Sequence, residues 1–181
     1  MSNFIDYHKQ PENDGKTHIN VYSRGATAIG RALSHFYQAP FQHPELGYFC
    51  SVEGLWYYLK TLDESLRDLA GFEAKKIGRE LPIVQVLPPA EFQRLINLGN
   101  EAKIQQNPEI LEALGATSLP LTHYYVTKGY GAKPAESEWI LAHLEMVRLA
   151  INPEADASNT ACLAQKQAIQ KEESQLQGSL F

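Results

Sequence analysis

The chain reads as an α+β protein, a compact and mostly helical single domain with a few short strands. Helix-period apolar patterns and helix start signals outnumber strand patterns along its length. The strand-like runs are short and lie among helices. Nothing repeats, and 181 residues with 44% apolar and 20% charged content suffice for one substantial core.

Residues 1–17 are polar, with Pro11, Asn13, Asp14 and Gly15, and read as an N-terminal arm. Residues 18–23, HINVYS, predict a short strand ended by Ser23, Arg24 and Gly25. In RGATAIGR, residues 24–31, Arg24 and Arg31 stand beside glycines. Exposed N–H groups there can cradle an anion, and a glycine turn with solvated charges explains the stretch as well. Its spacing fits neither a phosphate-binding loop nor a dinucleotide fingerprint. Residues 32–41, ALSHFYQAPF, take an irregular course toward Pro40 and Pro44. The central helix is expected from about Ser51 to Thr61.

Asp63 then caps a helical stretch over 63–70, and Gly71 interrupts. FEAKKIGREL, 72–81, forms another helix with Lys75, Lys76 and Arg79 as a basic patch, and Pro82 stops it. IVQVL, 83–87, predicts a short strand. Pro88 and Pro89 open a helix to about Leu98, and 99–106 continue it or form a further one. Asn107-Pro108 ends that run and starts a helix over 109–114, with Gly115 as its C-cap. LPLTHYYV, 119–126, is the clearest strand, and Thr127 to Pro134 reads as a loop. Residues 135–151 have the period of an amphipathic helix, with Trp139 expected in the core. Residues 152–181 turn polar and Gln-rich, an extension expected to be partly helical over 160–176. The body is therefore 18–151, between the arm and the extension.

The net charge of −5 argues against a uniformly basic nucleic-acid surface but not against a local basic cleft. Cys50 and Cys162 form neither a disulfide framework nor a thiolate metal site. No apolar run reaches the length of a membrane span and the start is polar, so a cytoplasmic protein with no membrane partner is expected. The histidines lack metal-site spacing on a helix, and no metal is expected. Ser51 lacks a nucleophile elbow and reads as a cap, while Cys50 is a nucleophile or, more simply, a small core residue.

Unlike chemistries concentrate in FCSVEGLWYYLK, residues 49–60. Glu53, Trp56, Tyr57 and Lys60 share one helical face. They can be surface charges beside core aromatics. A carboxylate on an aromatic face is nevertheless costly to bury unpaired, which favours a pocket wall. Such a set suits chemistry at a sugar anomeric carbon. Glu53 would stabilise positive charge on the sugar or activate water, and Trp56 or Tyr57 would stack on a base. Lys60 would protonate the leaving group or, with a lowered pKa, attack through a Schiff base.

Four segments resemble the NADAR (YbiA-like) family, over roughly 20–150. ALSHFYQAPF is similar to its LSNFY-x-x-PF segment and SVEGLWYYLK to SVEH-x-x-Q-x-x-K. AKKIGR is similar to AK-x-x-GR, and AKIQQNPEILEAL to AKF-x-QNP-x-L-x-x-x-L, in the same order. The resemblance implies a compact, mostly helical α+β fold and N-glycosidic cleavage without a cofactor. Some members remove ADP-ribose from modified guanine in nucleic acid, certain phage members oppose ADP-ribosylation of phage DNA, and others act on phosphorylated riboflavin-pathway intermediates. The implied partner is ADP-ribosylated DNA or a small phosphorylated nucleotide-like substrate. A non-catalytic ADP-ribose or nucleotide-binding module is the remaining alternative.

The family glutamate and lysine carry over onto Glu53 and Lys60. Its arginines carry over onto Arg79 and, more loosely, Arg24 and Arg31. His35 stands where the family has Asn, and Gly54 where it has His, which is expected to widen the site or remove a polar contact. Tyr130-Gly131 corresponds to a Trp-Gly segment, and Thr127 stands where an Asp is expected. His123 and Tyr124 supply other polar groups, although a strand histidine is more often structural.

Overall fold

The computed structural model describes residues 11–127, 130–132 and 138–153. The helical expectation for 160–176 and the first ten residues of the arm lie outside them. Six α-helices are described: α1 (Ala28–Leu33), α2 (Val52–Thr61), α3 (Gly71–Glu80), α4 (Pro89–Gln106), α5 (Pro108–Gly115) and α6 (Glu138–Ile151). The strands are β1 (Ile19–Asn20), β2 (Phe41–His43), β3 (Gly47–Phe49), β4 (Leu121–Thr122), β5 (Tyr125–Thr127) and β6 (Tyr130–Ala132). They pair in twos. β1 and β4 are parallel, with Ile19 opposite Leu121. β2–β3 and β5–β6 are antiparallel hairpins.

The caps expected of the central helix and its neighbour form. Ser51 Oγ accepts from the Gly54 N–H at 3.0 Å and donates to the Leu69 carbonyl at 2.8 Å. Asp63 accepts from Ser65 N–H and opens a 3-10 helix over Glu64–Asp68. Asp14, in the stretch read as an arm, accepts from the Asn20 and Ala26 N–H groups and ties residues before β1 to the body.

Four local expectations need correction. Residues 82–88 contain no strand, because nothing pairs along them; Val84 and Gln85 both donate to the one Lys60 carbonyl instead. The 119–126 strand breaks at His123-Tyr124. There the Asn20 side chain donates to the Tyr124 carbonyl and accepts from its N–H, both at 3.0 Å, so an amide stands in for the ladder. Gly115 is the last residue of α5 rather than a left-handed cap; Ala116 follows in helical geometry. The 127–134 loop contains β6, paired back onto β5.

Two apolar clusters make the core. One joins Ile19, Leu33, Ile104, Ile110, Leu114, Leu121 and Leu144. The other joins Phe41, Phe49, Val52, Leu55, Leu59, Leu95 and Ile96. α4 supplies both, with Leu95 and Ile96 on one side and Ile104 on the other. The corner after α1, the Glu53, Trp56 and Tyr57 face of α2, and the start of α6 line a cavity.

Candidate functional site

The cavity has a volume of about 610 Å³, in the range that holds a nucleotide-sized ligand. Its wall includes Tyr22 and Arg24 after β1, His35 and Phe36 after α1, Glu53, Trp56 and Tyr57 on α2, Phe72, Lys75 and Arg79 on α3, His123 and Tyr125 near β5, and Trp139 on α6.

α2 is held against α3 and the 3-10 turn by two close backbone approaches. A Cβ at Gly78 would lie 2.1 Å from Tyr57 Cγ, so only glycine lets Tyr57 lie flat under α3 as part of the wall. A Cβ at Gly54 would lie 2.3 Å from the Leu66 carbonyl oxygen. Gly54 thus faces the 64–68 turn and not the cavity. Glycine at this position therefore does not widen the site, which corrects one of the two sequence expectations for it.

Glu53 sits in the first turn of α2, with 8% of its surface exposed. No described residue donates a hydrogen bond to its carboxylate. Burial pushes its pKa up to about 7, against the pull of Lys75, Arg79 and Lys60. A carboxyl held there exchanges a proton readily near neutral pH.

Trp56 stacks parallel to Trp139, with centroids 6.3 Å apart, and meets Phe92 edge-on at 4.7 Å. Its ring lies 5.8 Å from that of His35. The Lys60 ammonium stands 4.9 Å from the Trp56 centroid, 5.4 Å from Phe92 and 5.7 Å from Tyr57. Desolvation in this aromatic nest lowers its pKa, opposed by Glu53. Tyr22, His123 and Tyr125 form a second aromatic group across the cavity, with the His123 and Tyr125 rings 5.2 Å apart. Lys75 caps the Phe36 face at 5.3 Å.

Of the residues singled out from sequence, Arg24, His35, Glu53, Trp56, Tyr57, Arg79 and His123 come together around the cavity. Lys60 is a layer behind Trp56 and outside the lining. Arg31 points away and donates to the Gly25 and Ala26 carbonyls, both at 2.8 Å. Tyr124 is buried, its hydroxyl 2.7 Å from His18 Nε2. Tyr130 lies in β6, and its side chain falls outside the described residues. Cys50 is buried and burial raises its thiol pKa, which suits a core residue and not a nucleophile. Among the described residues no cluster of His, Cys, Asp or Glu side chains is placed to hold a metal ion.

Sequence reasoning missed two groups beneath the floor. Lys103 is fully buried, and its ammonium donates to the carbonyls of Ala32, Leu33 and Ser34 at 3.0, 3.2 and 3.1 Å. Asn100 is fully buried, with its amide nitrogen 3.3 Å from His35 Nε2. Lys103 had a signal, a cation between Ala102 and Ile104 inside a matched motif, whereas Asn100 had none. Trp139, expected in the core, packs there and also lines the cavity.

No family model matches the chain, and no curated protein matches it. Among solved structures, the chain matches the NMR structure of the Escherichia coli protein YbiA with a TM-score of 0.56. The match covers 76% of this chain and 90% of YbiA at 19% identity. The chain has the YbiA-like fold, mostly helical with a few short strands, as the motif resemblance implied. Among the described residues, no helix is long and apolar enough to cross a membrane.

Proposed function

We propose that the protein is an N-glycosidase of the NADAR type, and that it removes ADP-ribose from a modified nucleobase in DNA. One observation carries the reading: a buried carboxyl, Glu53, with its pKa raised to about 7, faces a nucleotide-sized cavity flanked by Arg24, Lys75 and Arg79. These cations suit the diphosphate of ADP-ribose. The aromatic groups on both sides suit a base and an adenine. The YbiA-like fold and the four family-like motifs support the same reaction class.

In the proposed reaction the bond between ribose C1′ and the base nitrogen breaks, and positive charge develops on the sugar. Ionised Glu53 stabilises that charge, takes a proton from the water that adds to C1′, and passes it to the departing nitrogen. The products are the intact base and free ADP-ribose.

Lys60 has two uses consistent with its place. As an ammonium behind Trp56 it favours ionised Glu53. As a free amine it reaches C1′ only after its side chain rotates past Trp56, and would then form a Schiff base. Borohydride reduction during turnover separates the two, because only the second leaves a covalent adduct on Lys60.

The reading is tested by offering an ADP-ribosylated guanine oligonucleotide, an ADP-ribosylated thymine oligonucleotide, the free ADP-ribosylated nucleoside and a phosphorylated riboflavin-pathway intermediate side by side. Release from one of the oligonucleotides ahead of both small molecules is expected. Preference for the small phosphorylated heterocycle would move the substrate to the family's other branch. Tight ADP-ribose binding without turnover of any substrate would leave a binding module.

A further inference from the structure

A lysine with no exposed surface and no carboxylate among its hydrogen-bond partners is expensive to keep, and Lys103 holds that position directly under the cavity. Its three acceptors are the carbonyls at the C-terminal end of α1, which have no partner within the helix and carry the negative end of its dipole. The next residues, Ser34, His35 and Phe36, enter the cavity wall. The His35 carbonyl in turn accepts from the Glu53 N–H at 3.0 Å, which joins this corner to the first turn of α2. One ammonium therefore sits at the root of the segment bearing His35 and of the turn bearing Glu53.

We propose that Lys103 is a positioning residue for this site: its ammonium clasps the corner that carries His35 and anchors Glu53, and its charge adds to the burial around the His35 imidazole. The contact of His35 with Asn100 points the same way. Asn100 Nδ2 faces His35 Nε2 at 3.3 Å, and as a donor it pairs with a neutral ring protonated on Nδ1, an arrangement that leaves the buried Asn100 Oδ1 without a partner. A protonated His35 would set an N–H against the Asn100 N–H. Burial, then Lys103 from α4 and His123 from between β4 and β5, hold His35 at about 3, and Glu53 lines the same cavity; burial also lowers Lys103 to about 7, so its charge is present through the acid range in which His35 would titrate. Glu53 is then free to titrate near neutrality beside a His35 that stays uncharged. The proposal rests on the N-glycosidase reading for its effect on rate and on nothing but the fold for its effect on His35.

The test is imidazole NMR of the full chain labelled with 15N, with kinetics beside it. In the unaltered protein, His35 should remain a neutral Nδ1–H tautomer down to about pH 5. Protonation of His35 above about pH 5 would overturn the proposal without any variant. Lys103→Met keeps the stem and removes the charge. Its His35 should titrate about one pH unit or more higher, and kcat should fall about tenfold or more with a smaller change in KM. An unchanged His35 titration in folded Lys103→Met would overturn the electrostatic role. If that variant does not fold, Lys103→Arg takes its place. It keeps the charge but cannot aim three N–H groups from one atom, so lowered kcat with an unmoved His35 titration is expected, and unchanged kcat would overturn the positioning role. Should the unaltered protein cleave no N-glycoside, the functional reading fails while the His35 titration still judges this proposal.

Discussion

Replacing Glu53 by glutamine should stabilise the protein above neutral pH while abolishing its reaction. The Glu53 carboxyl, with an ordinary pKa of 4.5, is pushed up to about 7 in the fold. Between those values the unfolded chain has released its proton and the folded chain has not. Stability therefore falls as pH rises through this window, and the loss is complete above the folded pKa. A displacement of that size is worth about 3 kcal/mol. Glutamine keeps the shape of the protonated acid and has no proton to lose. At about pH 4.5 the two proteins should unfold at nearly the same temperature, since both side chains are largely neutral there. At about pH 8, Glu53→Gln should melt roughly 6–12 °C higher for a chain of this size. Other titrating groups are common to both proteins and cancel in the difference. Thermal unfolding followed by circular dichroism at several pH values gives the comparison. A melting difference that does not grow with pH, or a Glu53→Gln protein less stable at pH 8, would refute the claim that the fold holds this carboxyl at a cost.

The same pKa sets the rate profile: kcat/KM should rise with pH through about 7 as Glu53 ionises, and a profile with no rising limb there would contradict Glu53 as the base. Lys60→Met removes a cation that favours ionised Glu53, so that limb should move to higher pH, and a limb left in place would show that the two charges do not communicate. Gly78→Ala puts a methyl 2.1 Å from Tyr57 Cγ, and should cost about 1–3 kcal/mol in denaturant unfolding and weaken ligand binding by displacing that wall. Leu62, half-exposed, ends α2 with φ at +56°, and Leu62→Gly should gain up to about 1 kcal/mol in the same assay, a gain that vanishes if the left-handed cap is unstrained.

Where a chemical feature is local, the sequence showed it. Ser51 and Asp63 cap by side chains that reach only two or three residues ahead, so composition and spacing sufficed to place both helix starts. Glu53, Trp56 and Tyr57 share a helical face by geometry alone, and that face is one the cavity uses. Where the decision lies in a distant partner, spacing was silent. IVQVL has the residues of a strand, yet no edge lies beside it. LPLTHYYV is interrupted by Asn20, a hundred residues earlier in the chain. Gly54 is glycine because of the Leu66 carbonyl, a contact no helical wheel reveals. Lys103 and Asn100 act from beneath the floor through backbone carbonyls and one imidazole, and only the packing of α4 under the corner after α1 brings them there.

The most direct measurement is a chromatographic time course of an ADP-ribosylated guanine oligonucleotide with the unaltered protein and with Glu53→Gln. The unaltered protein should release free ADP-ribose and leave intact guanine in the strand. Glu53→Gln should bind the oligonucleotide with similar affinity and release about a hundredfold less, or none. Persistence of the modification under an excess of the unaltered protein, or equal release by Glu53→Gln, would contradict the account.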